Sequence, residues 1–353
     1  MTALEDLLTW RESARSGESI AAAVAAANAA APSIHLGLAS AERIIVTGAG
    51  SSYYLAQTVA AAGRAIIGRP VFAAPLSELI LRPEGVLSSR FHSPREPVVI
   101  ISRSGSTSEA VTVVARMRAA GHPIVAVTCR PTSPLASAAD VALVSPLGDE
   151  SAIVMTRSFA SMLALLLVVV ARIGGESALL GDLEAVADHW PEAADAAATG
   201  RRLGATDWTR IVVLGGGPAY GIAAEWGLKL TETSQASVSA YEPLEFRHGP
   251  ISLCEPGVLV VGLVGGAGAA EEVAVVEEAG RLGASTWLIA RDEDEARGVS
   301  DEISLIGGGL HPAARLPLLV HPAHALALSL ALTRGRDPDA PRHLGQVVIL
   351  GPE

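Results

Sequence analysis

Two separate stretches of this chain carry nearly the same pattern. Ile44-Ile45-Val46-Thr47-Gly48-Ala49-Gly50-Ser51-Ser52-Tyr53 matches Ile211-Val212-Val213-Leu214-Gly215-Gly216-Gly217-Pro218-Ala219-Tyr220. Each is a short β-branched run, then Gly-x-Gly-x-x-Tyr, then an Ala-rich helical stretch. Pro97-Val98-Val99-Ile100-Ile101 pairs in the same way with Pro256-Gly257-Val258-Leu259-Val260-Val261, and Ile124-Val125-Ala126-Val127 with Trp287-Leu288-Ile289-Ala290. A buried-strand run, a turn and a helical stretch, repeated, form a βαβ series, which closes into a parallel sheet with right-handed crossovers. The period is about half the chain, far too long for a solenoid or propeller repeat. The expected architecture is α/β, with two doubly wound parallel-sheet domains related by internal duplication. The expected boundaries are a helical segment over 1–29, packed outside the first domain, a first domain over 30–170, a helical linker over 171–203, a second domain over 204–340 and a tail over 341–353. The tail is expected to return as an edge segment or to lie over a site.

Composition supports buried parallel strands. Half of the 353 residues are apolar but only 4% are aromatic, so the cores must be built from Ala, Val, Leu and Ile. A net charge of −11 argues against a nucleic-acid or membrane surface, since either needs a basic stripe. Two cysteines, Cys129 and Cys254, are too few for a disulfide framework, and a reducing compartment is the default. The opening residues carry Glu5 and Asp6 and do not read as a secretory signal. The apolar run Met162 to Ala171 is about half of what crosses a bilayer and reads as a core helix. A soluble, cytoplasmic protein is expected.

In doubly wound sheets, ligands bind beyond the carboxyl ends of the strands, where helix N-termini offer unpaired N–H groups. Two turns fall there, Gly48-Ala49-Gly50-Ser51-Ser52 and Ser102-Arg103-Ser104-Gly105-Ser106-Thr107. Short hydroxyls, a Gly that permits close approach and one guanidinium suit a phosphate monoester. The alternative is that these Ser and Thr residues cap the following helices. The duplication offers a control: the partner turn near Gly262–Gly268 has no serine. A dinucleotide site fits less well, because Tyr53 and Tyr220 stand where a third glycine belongs.

The second half holds the titratable residues. Glu225, Lys229 and Glu232 fall on one helical face, with Glu225 and Lys229 spaced for an ion pair and Glu232 expected to be left free as a base. Tyr241 through His248-Gly249-Pro250 follows, ending in a turn that exposes side chains. The nine histidines are scattered. His321 and His324 stand at helical spacing without clear carboxylate companions and are expected to be structural or site-lining, and neither a metal nor a cofactor is expected.

Taken in order, these motifs resemble the sugar isomerase (SIS) domain family in its double-domain form. That form includes the isomerase half of glucosamine-6-phosphate synthase, stand-alone phosphosugar isomerases and aminosugar-phosphate deaminases. The resemblance covers nearly the whole chain. Beyond the turns above it rests on Glu150 through Thr156-Arg157-Ser158-Phe159, Glu225-x-x-x-Lys229-x-x-Glu232, Glu245-Phe246-Arg247-His248-Gly249-Pro250 and Pro341-Arg342-His343-Leu344. It implies that Gly50, Ser51, Ser52, Ser102, Arg103, Ser104 and Thr107 line a phosphate pocket, and that Glu150, Ile153 and Lys229 help bind substrate. It further implies that Glu232 moves a proton between C1 and C2 of the open sugar. His248 would assist ring opening from the other subunit of a homodimer.

Two departures shape the expected activity. There is no N-terminal nucleophilic Cys, so glutamine-dependent synthesis is not expected. Gln346 stands where the synthase carries an imine-forming lysine, and an amide forms no Schiff base. The expected function is isomerisation, with or without release of an amine, of a hexose- or hexosamine-6-phosphate. A fructosamine-6-phosphate deglycase is the enzymatic alternative, and a non-catalytic sugar-phosphate-binding regulator is the alternative of another class.

Overall fold

A computed structural model describes residues 3–87, 96–298 and 300–349, with side chains left out over 31–37. Met1, Thr2 and the part of the expected tail beyond 349 lie outside the described residues. The chain divides into two compact units. The first-sheet unit comprises Glu18–Glu150, Arg157–Glu184 and Gly345–Glu353; the second-sheet unit comprises Met1–Gly17, Ser151–Thr156 and Ala185–Leu344.

The first sheet holds β1 (Ile44–Gly48), β2 (Val71–Pro75), β3 (Val98–Ile101), β4 (Ile124–Thr128) and β5 (Val141–Val144). All pairs are parallel and the order is β2-β1-β3-β4-β5, the flavodoxin-like order. β1, β3 and β4 are buried at every residue, which explains their unbroken Val/Ile/Ala runs. The helix Ser108–Ala119 turns Ala110, Val113, Val114 and Met117 onto this sheet, at the helical repeat.

The second sheet holds β6 (Arg210–Gly215), β7 (Val238–Tyr241), β8 (Val258–Leu263), β9 (Ser285–Ala290) and β10 (Glu302–Leu305). Its order, β10-β9-β8-β6-β7, read from the other edge is the order of the first sheet. β6, β8 and β9 therefore occupy the places of β1, β3 and β4, as the sequence repeat predicts.

Of the opening segment expected beside the first domain, residues 18–29 fall in the first-sheet unit, whereas the part before them belongs to the second-sheet unit. Leu4, Leu7 and Trp10 pack on Leu328 and Leu332 of the helix Val320–Thr333, inside the second-sheet unit. Asp339 fixes them there, accepting the N–H groups of Leu8 and Thr9 at 2.7 and 2.8 Å at the start of the helix Leu8–Ala14. Those are two of the orphan donors of a helix start, and a carboxylate is also favoured there by the dipole.

The apolar run Met162–Ala171 belongs to a longer helix, Arg157–Gly174. This segment and Leu316–Thr333 have the length and composition of membrane spans, but 78% and 83% of them are buried. Each is a core helix of its unit.

Candidate active site

β1 and β3 are neighbours, paired Ile45 to Val98 through Thr47 to Ile100, although β2 and the helices Ser51–Ile67, Leu76–Leu81 and Pro83–Val86 lie between them in the chain. Their carboxyl ends mark the point where the strand order reverses, and the turns that follow stand side by side there. After β1, Gly48 is required by close approach: a Cβ on it would lie 2.5 Å from the Ser52 carbonyl carbon. The helix Ser51–Ile67 then starts at once, with Gly50 at its N-cap and Ser51 and Ser52 buried in its first turn.

After β3, Gly105 takes φ +60 in the middle of the second turn. Its N–H donates to Ser102 Oγ at 3.1 Å, and Ser102 Oγ lies 3.3 Å from Thr107 Oγ1. Ser106 N–H donates to Ser104 Oγ at 3.2 Å. The chain thus wraps around its own hydroxyls, and Ser102, Arg103 and Ser104 are buried. Thr107 is the N-cap of the helix Ser108–Ala119 but makes no side-chain capping bond, and Gly50 makes none for its helix. Capping therefore does not account for the hydroxyl cluster.

Arg103 is not an isolated cation in this turn. Its Nη1 lies 3.5 Å from Glu150 Oε1, and its Nη2 donates to the Gln346 carbonyl at 2.9 Å. Glu150 also takes the Ser158 hydroxyl. Gln346 Nε2 donates to the Glu150 carbonyl at 2.8 Å, and Ser108 N–H donates to Val348 O at 3.3 Å. The tail therefore lies along the Ser-rich turn, within the first-sheet unit. Ser158, which sequence reasoning placed only inside a motif, acquires a definite partner here.

In the second-sheet unit, the helix Ala219–Ser234 carries Glu225, Lys229 and Glu232. The expectation that Glu225 would take the lysine and leave Glu232 free is corrected. Lys229 Nζ contacts both, with Glu225 Oε1 at 3.6 Å and Glu232 Oε2 nearer. Burial explains the sharing. Glu225 and Lys229 are almost fully buried, whereas the Glu232 side chain keeps 20% of its surface and is the one that reaches out. His248 is exposed, just past the short helix Pro243–Phe246, and Ile153 is half-buried in the segment Ser151–Thr156.

The second sheet's counterpart of the Ser-rich turn holds carboxylates, of which Glu242 and Glu245 lie in the Tyr241–His248 segment and Glu272 lies outside every motif noted above. Behind β6 and β8 lies a cavity of about 590 Å³ lined by Gly216, Gly217, Glu242, Glu245, Gly268 and Glu272, among others. Glu242 accepts Gly217 N–H at 3.3 Å and Glu272 accepts Gly265 N–H at 3.4 Å. Glu295 accepts Gly266 N–H at 3.0 Å. Loop donors that could hold an external anion are thus occupied from within. Burial pushes the Glu272 carboxyl up to about 7, opposed by the Gly265 N–H and reinforced by Glu242.

His321 and His324 are buried and share one partner, Ser13, whose Oγ lies 2.8 and 2.7 Å from their Nδ1 atoms. Trp10 stacks on His321 at 5.1 Å. Among the described residues, no group of three or more His, Cys, Asp or Glu converges as a metal site would require.

The SIS domain family pattern matches residues 37–172 and 206–297, and the chain belongs to that family. It is 29% identical over 337 residues to the glutamine–fructose-6-phosphate aminotransferase (isomerizing) of Aeropyrum pernix, covering 88% of this chain and 52% of that one. The chain thus spans about half the length of the curated relatives it matches. Among solved structures it resembles a glucosamine-6-phosphate deaminase from Thermotoga maritima, with 26% identity, a TM-score of 0.75 and coverage of 94% and 100%. A tagatose-6-phosphate ketose/aldose isomerase from Escherichia coli superposes with a TM-score of 0.84 over 100% and 98% of the two chains, at 24% identity, a likeness of fold.

Proposed function

We propose that this chain is a phosphosugar isomerase acting on a hexose- or hexosamine-6-phosphate, with amine release when the substrate carries one. The observation that carries the reading is the buried hydroxyl cluster at the reversal point of the first sheet, unclaimed by helix capping. In this reading the hydroxyls of Ser51, Ser52, Ser102, Ser104 and Thr107, with the Gly50 turn, hold the phosphate. Neutral donors in a pocket suit a dianion without a dedicated counter-ion.

Glu232 then acts as the base. It takes the proton from one of C1 and C2 and returns it to the other through an enediol or enolamine, while His248 passes a proton to or from the ring oxygen. Lys229 holds the Glu232 carboxylate in place through the contact between them. Gln346 donates its amide to the Glu150 carbonyl and offers no amine for an imine, which favours this lysine-independent route. His248 is exposed, as a residue lent to a second copy of the chain would be, so a homodimer is part of the reading. A cytoplasmic setting accords with the two unbridged cysteines.

The test is incubation with fructose-6-phosphate, glucosamine-6-phosphate and fructosamine-6-phosphates, following ketose, ammonia and free amino acid. Glu232→Gln is expected to lower turnover by about 10²–10⁴-fold. Ser104→Ala and Thr107→Ala are expected to weaken substrate binding. Mixing inactive Glu232→Gln and His248→Ala subunits should restore part of the activity. Binding of all these sugars without turnover of any would overturn the enzyme reading in favour of a sugar-phosphate-binding regulator.

A further inference from the structure

We infer that Arg103 is a positioning residue, which latches the C-terminal segment onto the Ser-rich turn instead of ligating the phosphate itself. The inference rests on the phosphate pocket proposed above. The Arg103 side chain is 5% exposed and that of its partner Glu150 is fully buried, at a guanidinium–carboxylate distance of 3.5 Å. The charge of Arg103 is therefore already engaged, and the pair must stay together, since either ion left alone in that environment is costly.

The geometry directs the other prong of the fork at the backbone of the tail. Arg103 Nη2 donates to Gln346 O at 2.9 Å. Gln346 answers through its own side chain, Nε2 donating to the carbonyl of Glu150 at 2.8 Å. Arg103, Glu150 and Gln346 thus close a ring of three bonds in which each residue holds the other two. Two residues on, Val348 O receives the N–H of Ser108, the first residue of the helix that follows the turn. The segment is tied at both ends to the stretch that carries Ser102, Ser104 and Thr107. A lysine could supply the charge but not the rigid two-pronged fork that reaches carboxylate and carbonyl together.

Arg103 then controls how firmly the tail covers the turn, and through it how well a sugar is retained, while the phosphate group is recognised by the hydroxyls. Four forms decide the matter: Arg103→Gln and Arg103→Lys in the full protein, a chain ending at Leu344, and Arg103→Gln in that shortened chain. Amide hydrogen exchange is read over 345–349, and calorimetry gives affinities for inorganic phosphate and for fructose-6-phosphate.

Both Arg103 variants should speed exchange over 345–349 by about tenfold or more, as local opening becomes easier. Inorganic phosphate should bind within about threefold of the parent in all four forms. Fructose-6-phosphate should weaken as it does in the shortened chain, and Arg103→Gln in the shortened chain should add no further loss. Where Arg103→Gln fails to fold with Glu150 unbalanced, Arg103→Gln/Glu150→Gln removes both charges and gives the same reading.

Unchanged exchange in the Arg103 variants overturns the latch. So does a loss of inorganic phosphate affinity of about tenfold or more that Arg103→Lys restores, which would make Arg103 a direct ligand. If the parent binds neither phosphate nor sugar phosphate, the proposed function falls, while the exchange over 345–349 still decides the latch.

Discussion

Gly105 and Glu272 show how single residues set the character of each turn. At φ +60 Gly105 occupies the left-handed region, and a methyl group there would overlap the Ser133 hydroxyl and also meet Thr128 Oγ1. Gly105→Ala is expected to destabilise the protein by about 2–4 kcal/mol, from backbone strain and overpacking together, read by denaturant unfolding. Glu272 bears on pH. Its carboxyl titrates near 7 in the folded protein against an ordinary 4.5, so between those values the folded state binds more protons than the unfolded one. Stability from this group is complete below about 4.5 and lost as pH rises to about 7, with a ceiling on the order of 3 kcal/mol. Glu242 is raised in the same direction, chiefly by burial. Glu272→Gln should therefore melt higher than the parent at pH 8 and close to it at pH 5; a lower melting point at pH 8 would contradict the assignment.

At the level of elements, the six strands read from the sequence are the central ones, and their burial explains why. β1, β3, β4 and β8 are buried throughout, and β6 and β9 at all but their first residue. Continuous Val/Ile/Leu runs follow, and they stand out in the sequence. The edge strands β2, β5, β7 and β10 are partly exposed, with Phe72, Ile303 and Leu305 facing solvent; Ser239 breaks the apolar run of β7 and Ser304 that of β10, whereas β2 and β5 are short apolar runs that the repeat did not single out. The docking of the opening helix was equally hidden, because it depends on Ser13 meeting histidines more than 300 residues away. One hydroxyl carries one proton, so it donates to one Nδ1 and accepts from the other; with burial keeping both rings neutral, the two imidazoles are of opposite tautomer. Burial pushes His321 down to about 3, and His324 is lowered too, by burial first and then by His321 and Lys229. The unfolded chain thus binds more protons below about 6.5, and this stability is lost as pH falls from about 6.5 toward 3. Ser13→Ala should cost about 1–3 kcal/mol at pH 8, where both rings are neutral in either state. A variant that melts like the parent would remove Ser13 from the account.

Across the whole molecule, duplication of the sheet has not duplicated the hydroxyl cluster. The sequence showed this asymmetry, since only the first half has serines in the turn after its third strand. What replaced them could not be read, because Glu242, Glu272 and Glu295 come from separate segments and meet only in three dimensions. With those loop donors occupied, each chain is expected to bind one phosphate by calorimetry, and Glu272→Gln should leave the count at one. Two per chain would mean that the second pocket is open to anions. The Glu225–Lys229–Glu232 spacing was legible, but its division was not, because the exposure that lets Glu232 reach out belongs to the packing.

The contact between Asp339 and the start of the Leu8–Ala14 helix also concerns the order of events during synthesis. Leu8 is made 331 residues before Asp339. At ~5–20 residues per second, the opening helix waits roughly 15–65 s on the ribosome for its acceptor. Arg103 likewise precedes Gln346 by 243 residues. The Ser-rich turn is thus made well before the segment that lies along it, and a nascent chain carries Arg103 for some time before Gln346 can reach it.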